Sequence, residues 1–301
     1  MRIRVQGIKW EKRIGWLVAQ YRTLNYHISM PDMLITSPNN PRIKALAKLL
    51  QSRQRRKSGM FLVERDREIS RALASGFELK EFYWCPRLWP AEWSPREAFD
   101  LGDIPVIEVA DSVLAKMTVS QNPQGVLAVF EQRTADAGQL FANTADGLWL
   151  VTVGIEKPGN LGAMARTAES AGCAGMLVCT PDGTSDADLF NPNAIRASTG
   201  AVFSLPMASM NESDAIAMLR QNAVQIIATS DRAQTAWAKV DYTKATAIVI
   251  GPEDTGLSEM WLQAGDGILP VSIPMRGENC DSLNASVAAG ILLYEAVRQR
   301  Q

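Results

Sequence analysis

The sequence has few of the residues on which many active sites depend. Its 301 residues include one histidine, His27, and four cysteines, none of them in a CxxC pair. Serine or cysteine catalysis with a histidine base would have to use His27, and zinc sites built on several histidines cannot be assembled. The cysteines show no disulfide framework, which favours a reducing compartment. We therefore expect no metal centre and no disulfide scaffold.

Long hydrophobic runs are also missing. No stretch reaches the roughly 20 apolar residues that span a bilayer, and the longest apolar run, 285–294, has the length of a core helix. Lys9, Glu11 and Lys12 interrupt any signal-peptide core near the N-terminus. The sequence predicts a cytoplasmic protein with no membrane partner.

Charge is nearly balanced in total but unevenly distributed. The net charge is −1, yet residues 1–71 contain 16 Lys or Arg against 5 Asp or Glu. Such asymmetry indicates contact with a polyanion such as a nucleic acid. The densest basic cluster consists of Arg53, Arg55, Arg56 and Lys57. It could bind successive phosphates, or it could be a solvated helix end whose cations suit the helix dipole.

Glycine, proline and helix-capping residues mark the boundaries between the predicted segments of the chain. Residues 1–32 form an extension without clear periodicity, and 33–132 alternate helices and strands as a small α/β sandwich domain. Its first helix is predicted to start at Pro41, capped by Asn40, and to stop at Gly59. Residues 133–147 have little to bury and are predicted to be a linker.

A second α/β series occupies 148–301. Its apolar strands, such as 247–250, predict a mostly parallel sheet covered on both faces. The predicted strands are 149–154, 176–179, 202–206, 224–229, 245–250 and 267–273, and the predicted helices are 160–171, 212–222, 258–264 and 282–300.

Three loops after predicted strands, 156–162, 251–258 and 273–284, carry glycine and polar residues. Ligands bind such sheets beyond the carboxyl ends of the strands. Asn160, Ser258 and Ser282 could be helix N-caps only, but three such loops together favour a polar, glycine-lined site. The GxxxxGK[ST] and GxGxxG patterns are absent, and so is the glycine-rich turn of Rossmann-like methyltransferases.

These loops resemble the motifs of the SpoU (TrmH-type) branch of the SPOUT superfamily, RNA 2′-O-ribose methyltransferases that use S-adenosylmethionine. Residues 160–168 (NLGAMARTA) resemble NxGxxxRxA, 251–258 (GPEDTGLS) resemble GxExxGLS, and 273–286 resemble IPMxG…SLNxS. Residues 195–203 (IRASTGAVF) are similar to the family's RASxGAxF segment, and 61–64 (FLVE) to the start of its substrate-binding domain.

The chain departs from the family pattern at two places. Four residues, 278–281, separate Gly277 from Ser282 where the family usually has three. Arg65 follows Glu64 where relatives commonly have glycine, and residues 1–32 have no counterpart.

The resemblance implies a trefoil-knotted, mostly parallel C-terminal sheet with flanking helices, beside the smaller N-terminal α/β domain. It also implies a homodimer, an RNA substrate, and S-adenosylmethionine bound at Gly251, Ile273 and Leu283, with Thr229 a weaker candidate. Ribosomal RNA is favoured, because a separate N-terminal recognition domain is typical of the rRNA members. Transfer RNA, a catalytically silent RNA-binding protein of this fold and a small-molecule α/β enzyme are the alternatives.

The matching catalytic candidates are Asn160, Arg166, Glu253, Ser282 and Asn284. Transfer from a sulfonium needs no metal; the protein must position the ribose hydroxyl and help to remove its proton. A guanidinium is ordinarily never deprotonated, so Arg166 is expected to bind phosphate and stabilise the alkoxide. Glu253 and Asn160 would orient Arg166, or Glu253 would accept the proton itself.

Overall fold

The computed structural model describes residues 33–133, 135–142, 146–181, 188–263, 265, 267–277 and 282–301. The predictions for residues 1–32 and for the spacing at 278–281 therefore lie outside the described residues. Within the described chain two sheets form, one of five strands and one of seven.

The small sheet has the order β1-β4-β3-β5-β2. β5 pairs antiparallel with β2 and β3, while β4 pairs parallel with β1 and β3. Its strands are β1 (Met33–Ile35), β2 (Met60–Glu64), β3 (Leu79–Trp84), β4 (Val106–Val109) and β5 (Val126–Glu131). Its helices are α1 (Pro41–Ala47), α2 (Ser52–Ser58), α3 (Asp66–Ala74), α4 (Pro95–Ala98) and α5 (Asp111–Met117).

The first predicted helix is in fact two helices. Asn40 caps α1 as predicted, its Oδ1 accepting from the Arg42 backbone N–H at 2.9 Å. The helix does not continue to Gly59, however, because a 3₁₀ turn follows and Gln51 is extended, with φ −96° and ψ 131°. α2 therefore starts in a new helical phase, which turns Arg55 into the protein.

The large sheet has the order β10-β12-β9-β11-β6-β7-β8, and every pairing is parallel, as predicted. Its strands are β6 (Leu148–Val153), β7 (Gly175–Thr180), β8 (Met207–Asn211), β9 (Gln225–Thr229), β10 (Thr235–Ala236), β11 (Thr246–Ile250) and β12 (Ile268–Ser272). Its helices are α6 (Pro158–Ser170), α7 (Pro192–Ser198), α8 (Ala201–Ser204), α9 (Glu212–Gln221), α10 (Glu259–Leu262) and α11 (Ala285–Gln299).

Both faces of the large sheet are buried. Leu150 of β6 belongs to the cluster that contains Ala165 of α6 and Leu292 of α11. The neighbouring Val151 points the other way, into the cluster that contains Trp261 of α10. This alternation follows from the two-residue period of a strand and confirms the prediction of a sheet covered on both faces.

The predicted strand over 202–206 is wrong. Residues Ala201–Ser204 are helical, and the strand, β8, begins only after Pro206. A short apolar run is compatible with either state. Here tertiary packing decides, because Phe203 is drawn against Phe77 of the other domain, with ring centroids 5.1 Å apart.

The predicted linker buries more than its composition indicates. Residues Ala137–Phe141 form a 3₁₀ turn in which Leu140 is buried. Phe141 stacks on Trp149 at 4.9 Å, and the Trp149 indole N–H donates to the Leu140 carbonyl at 3.0 Å. The expectation that this segment has little to bury is thus wrong at Leu140.

The two domains meet at an aromatic contact that we call the domain junction. It consists of Phe61 and Phe77 from the small sheet domain with Phe190 and Phe203 from the large one. Phe61 stacks on Phe190 with centroids 4.5 Å apart. The trefoil knot stays a prediction, and no helix of the described residues is long and apolar enough to cross a bilayer.

Candidate functional site

Strand register brings the three motif loops to one place. β11 lies between β6 and β9, with Ile250 opposite Thr152 and Val249 opposite Ala228. β12 continues the sheet beside β9. Parallel strands end at the same side, so the loops after β6, β9, β11 and β12 emerge together. We call this the loop edge.

The Glu253 carboxylate joins the three motifs at the loop edge. Its Oε1 accepts from Asn160 Nδ2 at 2.9 Å, Asn284 Nδ2 at 2.6 Å and the Ala285 backbone N–H at 3.2 Å. Its Oε2 accepts from Lys157 Nζ at 3.1 Å. Residues about 30 and 90 positions apart in sequence are thus fixed by one carboxylate.

These donors determine the ionisation of Glu253. The backbone N–H of Ala285, then Lys157 and Asn160, hold the pKa of the Glu253 carboxyl below its usual range. A carboxylate stabilised in its charged form accepts a proton poorly near neutral pH. Glu253 is therefore suited to hold Asn160 and Asn284 in place.

The interpretation of Asn160 and Ser282 as helix N-caps is not supported, and the residue that caps the last helix is Asn284. α6 begins at Pro158, so Asn160 lies inside its first turn and does not cap it. Asn284 does cap α11, its Oδ1 accepting from the Ser286 backbone N–H at 3.0 Å, and its amide nitrogen stays available for Glu253. Ser282 lies before this cap and is exposed.

Arg166 is separated from the other catalytic candidates. It is exposed on α6 and makes no hydrogen bond or ion pair with any described residue. Six residues along a helix place it about 120° around the axis from Asn160. Asn160 and Glu253 therefore contact each other and not Arg166, contrary to the expectation that they orient it.

The predicted cofactor positions lie in or next to the loop edge. A Cβ on Gly251 would be 2.9 Å from the backbone of both Gly256 and Leu257, so the loop closes tightly only around glycine. Thr229 uses its hydroxyl to donate to the Val249 carbonyl at 2.9 Å. Ile273 directly follows β12, and Leu283 directly precedes the Asn284 cap. The backbone thus lines this edge closely, which fits a cofactor held by main-chain groups.

The buried carboxylate of Glu212, which the sequence analysis did not predict, holds the end of the 251–258 loop. Glu212 accepts from Ser258 Oγ at 2.7 Å and from the Trp261 indole N–H at 2.8 Å. Ser258 occupies the N-cap position of α10 but does not cap it. No motif spacing signals Glu212, because it follows a different strand, β8.

The structure corrects the basic cluster at one position. Arg53, Arg56 and Lys57 are exposed, but Arg55 is 0% exposed. The Arg55 guanidinium forms an ion pair with Asp188 of the other domain and donates to the Leu49 carbonyl. Arg55 therefore fastens the two domains and is not available to an RNA phosphate.

Comparison with known proteins agrees with this fold. The model of the SpoU rRNA Methylase family matches residues 147–294, and that of the MRM3-like substrate binding domain matches 40–128. The 23S rRNA (uridine(2479)-2'-O)-methyltransferase of Streptomyces viridochromogenes is 31% identical over 88% of this chain and 92% of its own.

Solved structures give the same result. A crystal structure of an RNA 2'-O ribose methyltransferase has a TM-score of 0.75 at 40% identity, covering 89% of this chain and 99% of that one. The SpoU methyltransferase AviRb from Streptomyces viridochromogenes, in complex with the cofactor AdoMet, has a TM-score of 0.76 at 30% identity, covering 87% and 98%. The fold is that of a SPOUT-type methyltransferase. The chain belongs to the SpoU rRNA methylase family.

Proposed function

We propose that this chain transfers a methyl group from S-adenosylmethionine to a ribose 2′-hydroxyl of ribosomal RNA. The observation that carries the proposal is the Glu253 carboxylate, which joins Asn160, Asn284 and Ala285 from separate motifs at the loop edge. The named relatives that act on 23S rRNA, and the AdoMet complex of AviRb, support the substrate and the cofactor.

Each part of the site has a distinct task in this proposal. S-adenosylmethionine supplies an electrophilic methyl group on a sulfonium, and Gly251, Ile273 and Leu283, with Thr229, hold it through backbone groups. Glu253 holds the amides of Asn160 and Asn284 beside the ribose, and Ser282 lies at the exposed entrance.

Arg166 provides the positive charge that the methyl transfer requires. Its guanidinium is exposed and without a described partner, so it can bind the phosphate beside the target ribose. In that position it also stabilises the alkoxide that forms as the hydroxyl gives its proton to solvent water. The lowered pKa of Glu253 favours this assignment over one in which Glu253 is the base.

The exposed residues of the basic cluster, Arg53, Arg56 and Lys57, extend the RNA contact. We also propose a cytoplasmic homodimer. Val287 and Tyr294 lie seven residues apart on α11 and are 49% and 50% exposed, and Met275 of the loop edge is 38% exposed. Such apolar side chains beside the site suit a second copy of the chain.

Radiolabelled methyl transfer tests the function. Purified full-length chain is incubated with labelled S-adenosylmethionine and, separately, unmodified 23S rRNA and bulk tRNA, and labelled nucleotides are mapped. We expect a 2′-O-methyl group in the rRNA only. Label in tRNA would reassign the substrate, and RNA binding without any label would identify a silent RNA-binding protein.

A further inference from the structure

The carboxylate of Glu212 joins two segments of the chain that lie far apart in sequence. Glu212 directly follows β8 and is 6% exposed. Its Oε2 accepts from Ser258 Oγ at 2.7 Å and from Trp261 Nε1 at 2.8 Å, and these donors stand 46 and 49 positions later. Hydrogen bonds to a carboxylate are about twice as strong as those between neutral groups. Glu212 therefore fixes the end of the loop 251–258 firmly.

This contact reaches across one face of the large sheet. β8 is the last strand in the sheet order and is separated from β11 by β6 and β7. Ile216 of α9 and Trp261 of α10 belong to the same buried cluster on this face. Burying a carboxylate costs free energy that an apolar side chain in the same place would not. The benefit of a glutamate here lies in the position that it gives to its two donors.

Ser258 does not use its side chain for the local role that its position offers. It occupies the N-cap position of α10, where a serine oxygen normally accepts from a backbone N–H of the first turn. Its side chain makes no such capping bond, and its hydroxyl donates to Glu212 instead. The side chain of Ser258 thus serves a contact between distant segments.

The end of the loop 251–258 also packs directly against its beginning. A Cβ on Gly251 would lie 2.9 Å from the carbonyl carbon of Gly256 and from the backbone nitrogen of Leu257. Leu257 is buried in the cluster that contains Trp261. Because Gly251 packs on the two residues that precede Ser258, the bond from Ser258 to Glu212 limits how far the backbone at Gly251 can move.

We propose that Glu212 is a positioning residue for the cofactor and holds the loop 251–258 in the conformation that binds S-adenosylmethionine. The loop then has two anchors: Glu253 bonds to the first and third motifs, and Glu212 ties Ser258 to the strand at the sheet edge. A loop that is already ordered loses less conformational freedom on binding, so it binds its ligand more tightly. The inference rests on the proposed function, which places the cofactor at Gly251.

The test measures binding of S-adenosylmethionine to the full-length chain by calorimetric titration without RNA, together with the melting temperature of each variant. Ser258→Ala removes the donor in the loop, and Trp261→Phe, the matched control, removes the donor in the helix. Ser258→Ala should bind the cofactor about tenfold more weakly, as for one lost hydrogen bond to a charged group. Trp261→Phe should lower the melting temperature at least as much, because it also leaves a cavity, but should change cofactor affinity by less than about twofold.

Two substitutions of Glu212 itself separate the hydrogen bonds from the volume of the side chain. Both donors bond to the same carboxylate oxygen, so the amide oxygen in Glu212→Gln can still accept from both. Glu212→Leu keeps roughly the same volume but has no acceptor. We expect cofactor affinity within about threefold of wild type for Glu212→Gln and at least about tenfold weaker for Glu212→Leu. In methylation assays the loss should appear in the KM for the cofactor much more than in kcat.

Several results would overturn the positioning role of Glu212. One is cofactor binding by Ser258→Ala equal to wild type. Another is an equal loss of cofactor affinity in Ser258→Ala and Trp261→Phe, because the contact would then stabilise the fold only. A wild-type chain that does not bind the cofactor would contradict both this inference and the proposed function. A wild-type chain that binds the cofactor but methylates no RNA would contradict the proposed function alone, and the titrations without RNA would still decide the role of Glu212.

Discussion

The loop edge and the end of β2 each contain a glutamate that accepts hydrogen bonds, Glu253 and Glu64, yet the pKa values of the two carboxyls shift in opposite directions. Bonds from Ala285, Lys157 and Asn160 lower the pKa of Glu253. Burial raises the pKa of the Glu64 carboxyl, and it outweighs the two backbone N–H groups that Glu64 accepts and the charges of Arg196 and Arg65. Solvent access, more than the number of donors, decides which way such a carboxyl shifts.

The same contrast applies to the arginines. Arg166 at the loop edge is exposed and without a described partner, whereas Arg55 near the domain junction is buried and paired with Asp188. An arginine that binds substrate must be accessible to solvent, whereas an arginine that joins two domains is buried together with its ion-pair partner. Substitutions in the two regions should therefore affect different measurements.

The largest effect is expected at Arg166. Arg166→Ala should lower kcat for RNA methylation by roughly 10²–10³-fold, the usual result of removing one group that stabilises a developing anion. Cofactor affinity should be nearly unchanged, because Gly251 and Ile273 lie on other loops. Single-turnover methylation and cofactor titration measure the two effects, and equal loss of both would remove Arg166 from the catalytic role.

At the domain junction the effect should be on stability. Arg55→Met leaves Asp188 without its partner, and breaking a largely buried pair costs about 3 kcal/mol of unfolding free energy. The exposed neighbour supplies the control, since Arg53→Met should change stability by less than about 0.5 kcal/mol. Urea denaturation measures both, and equal values would show that Arg55 does not hold the domains together.

At the loop edge, a substitution of Glu253 should lower the methylation rate. Glu253→Gln keeps the size of the side chain but weakens its hold on Asn160, Asn284 and Lys157, and misplacement of this kind costs about 100-fold in rate. The adjacent Asp254 bonds only to the Thr255 backbone N–H among the described residues, so Asp254→Asn should stay near wild-type activity. Methylation by Glu253→Gln at the wild-type rate would contradict the positioning role.

The smallest effect should appear in the pH dependence of stability. The raised pKa of Glu64 means that the folded chain binds its proton more tightly, so this group costs stability as pH rises from about 4.5 through the raised value. The lowered pKa of Glu253 gives the opposite sign, because its stabilisation is present above about 4.5 and is lost as pH falls through the lowered value.

Melting temperatures of wild type, Glu64→Gln and Glu253→Gln across this pH range measure both contributions. Glu64→Gln should remove the loss of stability on the alkaline side of 4.5, and Glu253→Gln should remove the loss on the acidic side. Difference curves of the same sign would contradict the assignment of burial to one region and of donors to the other.

Local patterns in the sequence were sufficient for most of the large sheet. The apolar strand 247–250 and its neighbours predicted a parallel sheet, and the polar loops after them predicted where the site lies. These predictions rest on short-range periodicity and on the rule that parallel strands end at one edge. The run 202–206 shows where such rules fail, because its helical state depends on Phe203 packing against the other domain.

The sequence by itself thus determined the α/β class, the family and the grouping of Asn160, Glu253 and Asn284 at the loop edge. Only the tertiary structure decided how those residues divide their tasks. From the sequence alone, Arg55 is indistinguishable from its basic neighbours; in the structure, the extended Gln51 changes the helical phase and Arg55 pairs with Asp188. Likewise, Glu253 is one of several candidates in the sequence, and the structure shows that Asn160 and Asn284 both donate to it. The physical reason is that charge and hydrogen bonding depend on burial and on partners distant in sequence, which residue spacing does not encode.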